Sequence, residues 1–105
     1  MIYDMRTYTF APGNAQRYLK VYEDLAYQLQ LKHQRNLLGF WQTDIGPLNQ
    51  TVSIWAYDSL QARDEAKAAL GQESGWKDYL VAAQPLILSQ ENAILKPAPF
   101  FKDSR

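Results

Sequence analysis

The chain has 105 residues, 11 Lys and Arg against 11 Asp and Glu for a formal net charge of zero, one His, no Cys, and 47% hydrophobic residues. A single domain over residues 1–105 is what this length supports, and the apolar content suffices to offset the roughly 100–200 kcal/mol of conformational entropy that folding removes. Scattered, balanced charge gives no basic footprint for nucleic acid or an anionic membrane, and the lack of cysteine excludes disulfides, thiolate metal centres and a Cys nucleophile while fitting a reducing compartment.

The opening stretch Met1–Arg6 is charged at once and has no long apolar run. It therefore reads as neither signal peptide nor membrane span, and the expected location is cytoplasmic. Ile2 to Phe10 is dense in Ile, Tyr, Thr and Phe and stops at Ala11-Pro12-Gly13-Asn14, a turn-forming cluster, which makes it the first strand. From Asn14, a candidate N-cap, Tyr18, Leu19, Tyr22, Leu25, Ala26 and Leu29 recur at spacings of three and four, which predicts one long helix with a single apolar stripe. His33 ends that helix, where a cation suits the helix dipole, so a capping or surface role is favoured over catalysis.

Leu37 to Ile45 is the second strand, Gly46-Pro47-Leu48-Asn49-Gln50 the loop, and Thr51 to Tyr57 the third strand, close enough to pair as an antiparallel hairpin. Asp58 or Ser59 caps a second helical region, Leu60 through Leu70, which ends at Gly71 and restarts after Gly75 with Trp76, Tyr79, Leu80 and Ala83 in register. Pro85 closes it. Leu86 to Leu95 is the fourth strand, and Lys96-Pro97-Ala98-Pro99 leads into an extended tail bearing Phe100 and Phe101.

The order β-α-β-β-α-β predicts a ferredoxin-like α+β domain, two helical regions covering one face of a four-stranded antiparallel sheet. The small aliphatic residues Val52, Ile54 and Ala56 are assigned to the helix side, which sends Ser53, Trp55 and Tyr57 to the open face. Two exposed aromatics there call for cover by a second copy, with a shared cavity between the two sheets, so a homodimer is expected. Phe40 and Trp41 point to opposite faces, and the sequence leaves open which one joins the cavity.

The strings Ile2-Tyr3-Asp4-Met5-Arg6-Thr7-Tyr8-Thr9-Phe10 with Pro12-Gly13, Asn36-Leu37-Leu38-Gly39-Phe40-Trp41, Ile45-Gly46-Pro47-Leu48-Asn49-Gln50, Trp55-Ala56-Tyr57-Asp58-Ser59-Leu60 and Ser89-Gln90-Glu91-Asn92 occur in that order. Together they resemble the NIPSNAP family over nearly the whole chain. The resemblance implies the dimeric α/β-barrel fold, a superfamily that includes cofactor-independent monooxygenases, small isomerases and haem-handling enzymes, but it implies no particular reaction. Two positions depart from the family's usual residues: Asp4 stands where a glutamate is common and Ser53 where a histidine is, which weakens any acid–base role at position 53.

Asp4, Arg6 and Tyr8 share one strand face at about 6.6 Å spacing, so carboxylate and guanidinium can meet side by side. Two readings stand: Arg6 and Tyr8 hold an oxygen of a ligand, or Asp4 and Arg6 form a structural ion pair. Trp55 and Tyr57 are either an aromatic wall for a planar ligand or plain core. At the start of the fourth strand Glu91 is chosen over Asn92 as the residue that meets Arg6 and is a candidate general acid or base; the catalytic candidates are Glu91 and Arg6, the latter to orient and polarise an oxygen of the ligand. One imidazole and scattered carboxylates offer no metal or haem cage, so no cofactor is expected. The resulting reading is a protein that binds a small oxygenated organic molecule, with a cofactor-independent enzyme of monooxygenase or isomerase type as its catalytic form and a non-catalytic scaffold as the alternative.

Overall fold

A computed structural model describes residues 1–102. Its elements are strand β1 (Ile2–Phe10), helices α1 (Asn14–Leu25) and α2 (Tyr27–Gln34), strands β2 (Leu37–Gln42) and β3 (Gln50–Tyr57), helices α3 (Leu60–Gly71) and α4 (Ser74–Ala83), a 3₁₀ turn at Gln84–Leu86, and strand β4 (Ile87–Leu95). The sheet order is β2-β3-β1-β4 with every pairing antiparallel, the ferredoxin-like α+β arrangement.

The first helix is two. The helix breaks at Ala26, which is fully buried, and α2 begins at Tyr27; Leu25 of the expected stripe is exposed while Tyr18, Tyr22 and Ala26 pack inward. Gly13, at φ 87, supplies the left-handed turn that starts α1. The Ser59 hydroxyl accepts from the Ala62 N–H at 3.0 Å and caps α3, deciding between the two residues the sequence offers. Strand β2 ends at Gln42, three residues earlier than expected, and 43–49 form the loop back to β3.

The faces of the sheet are reversed from the expectation. Ser53, Trp55 and Tyr57 point toward the helices and are buried, Trp55 at 1% exposure, whereas Val52 and Ile54 lie on the open face. The register puts Asp4 opposite Trp55 and Arg6 opposite Ser53, so the even residues of β1 join them under the helices. The cause is the chemistry of the helical inner surface. It presents Tyr18, Tyr22, Gln30, Gln34 and Tyr79, which offer an aromatic face to Phe40 and a polar partner to Tyr57; Gln34 donates to the Tyr57 hydroxyl, and the Tyr22 hydroxyl donates to Gln30. Phe40 packs on Tyr22 with ring centroids 4.7 Å apart and so belongs to the helix side, leaving Trp41 on the open face, where its indole lies over Gly39.

The open face carries Tyr3, Met5, Trp41, Val52, Ile54 and Leu95, aligned by the ladder pairs Tyr3–Leu95, Met5–Ile54 and Val52–Trp41. Phe101 folds back to the edge of this surface beside Tyr3, Ile54 and Pro97. No helix of the described residues is long and apolar enough to cross a membrane.

Candidate functional site

Strand β1 places Asp4, Arg6, Tyr8 and Phe10 in one row beneath the helices. Asp4 is completely buried and is the hub of the row. Its Oδ2 accepts from Arg63 Nε at 2.8 Å and from Arg6 Nη2 at 3.3 Å, and its Oδ1 accepts from Asn92 Nδ2 at 3.3 Å. Arg63 reaches in from the first turn of α3, so the carboxylate joins that helix to β1 and β4. A buried carboxylate costs several kcal/mol in lost hydration, and two guanidiniums with one amide are what make its burial tolerable.

Arg6 is held more loosely. Its two side-chain hydrogen bonds, to Asp4 and to the Tyr8 hydroxyl at 3.4 Å, are both longer than the usual 2.7–3.2 Å range, and no acceptor among the described residues reaches its buried Nε. Burial works against its charge, but the Tyr8 oxygen and the Asp4 carboxylate outweigh that cost and hold Arg6 above its ordinary pKa.

Arg6 and Tyr8 form one wall of a cavity of about 470 Å³ between the β1–β4 half of the sheet and helices α3 and α4. Lys67 lies on the α3 side, Trp76, Tyr79 and Leu80 on α4, and Ile87 and Gln90 on β4. A volume of this size suits a small organic ligand. Lys67 is partly buried there, and burial, reinforced by the positive charges of Arg6 and Arg63, lowers its amine to about 8. On the inner side of Arg6 and Tyr8 lies a second, very small space of about 10 Å³, roughly the size of one water, bounded by Tyr18, Tyr22, Thr51, Ser53 and Trp55. The Tyr18 and Tyr79 hydroxyls bond each other at 2.7 Å between the two helices, and burial raises both phenols above their ordinary range.

The sequence-predicted site residues separate accordingly. Arg6 and Tyr8 line the cavity; Asp4 stands behind Arg6; Trp55 faces only the small inner space; and Tyr57 is tied to Gln34. The cavity lies under the helices, on the sheet face opposite the one to which the sequence assigned the ligand. Glu91 is a second correction. The register sets it opposite Thr7 on the open face, exposed, and brings Asn92 opposite Arg6, so the amide and not the carboxylate meets the cluster. Asn92 was the alternative to Glu91 at this position, whereas Arg63 and Lys67 escaped sequence reading. These two sit one helical turn apart on α3, and this i, i+4 pair of cations on the inner side of an amphipathic helix was the available signal.

His33 is outside this cavity; with Lys32 it bonds Glu73, each at 2.7 Å, and these two hydrogen bonds hold the Glu73 carboxyl below its ordinary range. Among the described residues no three His, Cys, Asp or Glu side chains gather as a metal cage requires.

The NIPSNAP family model matches residues 3–102. The human protein NipSnap homolog 3A is 30% identical over 104 residues, covering 97% of this chain and 41% of its own length, so the chain spans about two fifths of that relative. The crystal structure of protein Atu4242 from Agrobacterium tumefaciens is 41% identical, with a TM-score of 0.90 over 95% of this chain and 96% of that one. A crystal structure of an antibiotic biosynthesis monooxygenase superposes with a TM-score of 0.67 over 94% of this chain and 100% of that one at 12% identity, a likeness of fold alone. With a family model aligned along almost its entire length and a relative of matching length and fold, the chain belongs to the NIPSNAP family.

Proposed function

We propose that the cavity under α3 and α4 binds a small organic anion, a carboxylate or phenolate, through the Arg6 guanidinium, with Tyr8 as a hydrogen-bonding neighbour and Trp76, Tyr79 and Leu80 receiving its apolar part. The observation that carries this reading is Arg6 itself: a guanidinium at the wall of a cavity of about 470 Å³, with stretched bonds to its own chain and a buried Nε that no acceptor reaches. Arg6, Arg63 and Lys67 set three cations against the one buried carboxylate of Asp4, a local excess that favours an anion. Conversion of the ligand without a resident cofactor, of monooxygenase or isomerase type, is the catalytic form of the same reading. The cysteine-free composition fits work in a reducing, cytoplasmic compartment.

The assembly proposed with it is a homodimer through the open sheet face, since Tyr3, Met5, Trp41, Val52, Ile54 and Leu95 form an apolar surface that a second copy would cover.

A thermal-shift panel of small carboxylic acids and phenols tests the binding reading. A ligand at a hundred times its dissociation constant adds about 2.7 kcal/mol of stability, and Arg6→Gln should abolish the gain. If no compound shifts the melting temperature, or if the shift survives in Arg6→Gln, a non-catalytic scaffold becomes the better description.

A further inference from the structure

Lys67 is the one cation of this cluster that the cluster does not use. It follows Arg63 by one turn of α3, and Arg63 has already taken the short bond to Asp4. Among the described residues no carboxylate lies within ion-pair distance of the Lys67 amine and no side-chain acceptor hydrogen-bonds it, although its side chain lines the same cavity as Arg6 and Tyr8. The charges that bear on it are Arg6 and Asp4 from β1 and Arg63 and Asp64 from α3; Asp64 is largely exposed and occupied by Arg63 at 3.2 Å. Across the cavity stand neutral groups, the Tyr8 and Tyr79 phenols and the Gln90 amide of β4. An amine in apolar surroundings beside other cations is the arrangement that makes a lysine nucleophilic. Burial and the neighbouring guanidiniums lower the Lys67 amine to about 8, which makes its neutral, nucleophilic form more available near neutral pH than that of an ordinary lysine.

We propose that Lys67 forms a Schiff base with a small oxo acid whose carboxylate rests on Arg6. This rests on the anion-binding reading above and adds the reacting group and the substrate class to it. The neutral amine nitrogen adds to the carbonyl carbon, forming the C–N bond while the C=O π pair moves to oxygen, which takes up one of the two nitrogen protons. In the resulting carbinolamine the nitrogen lone pair forms C=N as the hydroxyl, protonated by the Tyr8 phenol, leaves as water; the nitrogen's surplus proton then restores the phenol. Amine and carbonyl become imine and water, and no oxidant or reductant is consumed. Trp76 and Tyr79, whose rings lie 4.7 Å apart, offer a surface for an apolar or aromatic substituent of the acid.

Phenylpyruvate with cyanoborohydride at pH 7.5, followed by peptide mass spectrometry, reads the imine as a stable reduced adduct. Lys67 should carry about a tenfold excess of label over the exposed Lys20, Lys32 and Lys77. Phenylacetaldehyde, which lacks the carboxylate, should lose that preference. Lys67→Arg should lose the adduct, and Lys67→Met, the second variant should the arginine disturb folding, should lose it as well. Label spread evenly over the lysines while the wild-type thermal shift persists overturns the Schiff base alone. Equal preference for phenylacetaldehyde overturns the oxo-acid assignment, and loss of the wild-type shift itself overturns the anion site on which both rest.

Discussion

Arg63 Nε lies 2.8 Å from Asp4 Oδ2, a contact that spans 59 residues of chain and pins the first turn of α3 to the middle of the sheet. It is shorter than the 3.3 Å bond from Arg6, although Arg6 sits two residues away on the same strand. The neighbouring arginine is therefore the ancillary partner of Asp4 and the distant one is the principal partner.

Unequal consequences of substitution follow from that order. Asp4→Asn leaves Arg6 and Arg63 facing one another without a counter-charge and should cost about 3–5 kcal/mol in urea denaturation. Arg6→Ala should cost only about 1–2 kcal/mol, because Asp4 keeps Arg63 and Asn92. A loss for Arg6→Ala as large as for Asp4→Asn would make Arg6 the principal partner and contradict the geometry.

Lys67 gives a dependence on pH. A lysine whose folded-state pKa is lowered binds fewer protons folded than unfolded, so its charge penalty is fully present below about 8 and disappears as pH rises toward the ordinary value of 10.5. Lys67→Met should accordingly stabilise the protein by about 1–3 kcal/mol at pH 7, after allowance for partial exposure, and the advantage should shrink by pH 10. Paired unfolding curves at the two pH values measure it; an advantage that is constant or grows with pH would show that the amine is not perturbed.

The hydroxyl pair of Tyr18 and Tyr79 is buried, so each phenol is the other's partner. Tyr18→Phe or Tyr79→Phe alone strands one hydroxyl and should cost about 1–3 kcal/mol. The double variant should cost less than the sum, with a coupling of about 1 kcal/mol in the thermodynamic cycle. Additive costs would mean that the two groups are satisfied elsewhere.

On the open sheet face, Ile54→Lys places a charge at the centre of the apolar surface, opposite Met5. Light scattering should find the wild-type chain as a dimer and this variant shifted toward the 12.1 kDa monomer, with the cavity ligand still able to shift its melting temperature. A wild-type monomer at micromolar concentration would remove the assembly and leave the cavity untouched.

The fold was legible in the chain because strand-forming residues alternate with turn clusters and helical periods, and all four strands fall within a few residues of their expected positions. The cluster at Asp4 and Arg6 was legible for a similar reason, since residues two apart on a strand share a face. Which face they share was not. Small aliphatic residues are a fair guide to the helix side when the helices are aliphatic, but here α1, α2 and α4 present phenols and amides, and these reward Ser53 and Tyr57 over Val52 and Ile54. Glu91 was chosen over its neighbour because strand periodicity fixes alternation without fixing its phase; only pairing with β1 assigns Asn92 to the cluster. Arg63 and Lys67 come from a helix whose rotation about its axis is set by packing, which local sequence does not encode.

Strand β1 writes two messages in alternate letters. Asp4, Arg6 and Tyr8 face the cavity side, while Tyr3, Met5 and Thr7 face the uncovered sheet surface. The two sets sit on opposite faces, so the proposed anion site and the proposed dimer face draw on different residues of the same strand. A single-residue insertion or deletion between Tyr3 and Arg6 upsets that division. It would turn the following side chains over, carry Arg6 out to the bare surface and bring an apolar neighbour under the helices, so this short stretch should accept only one length.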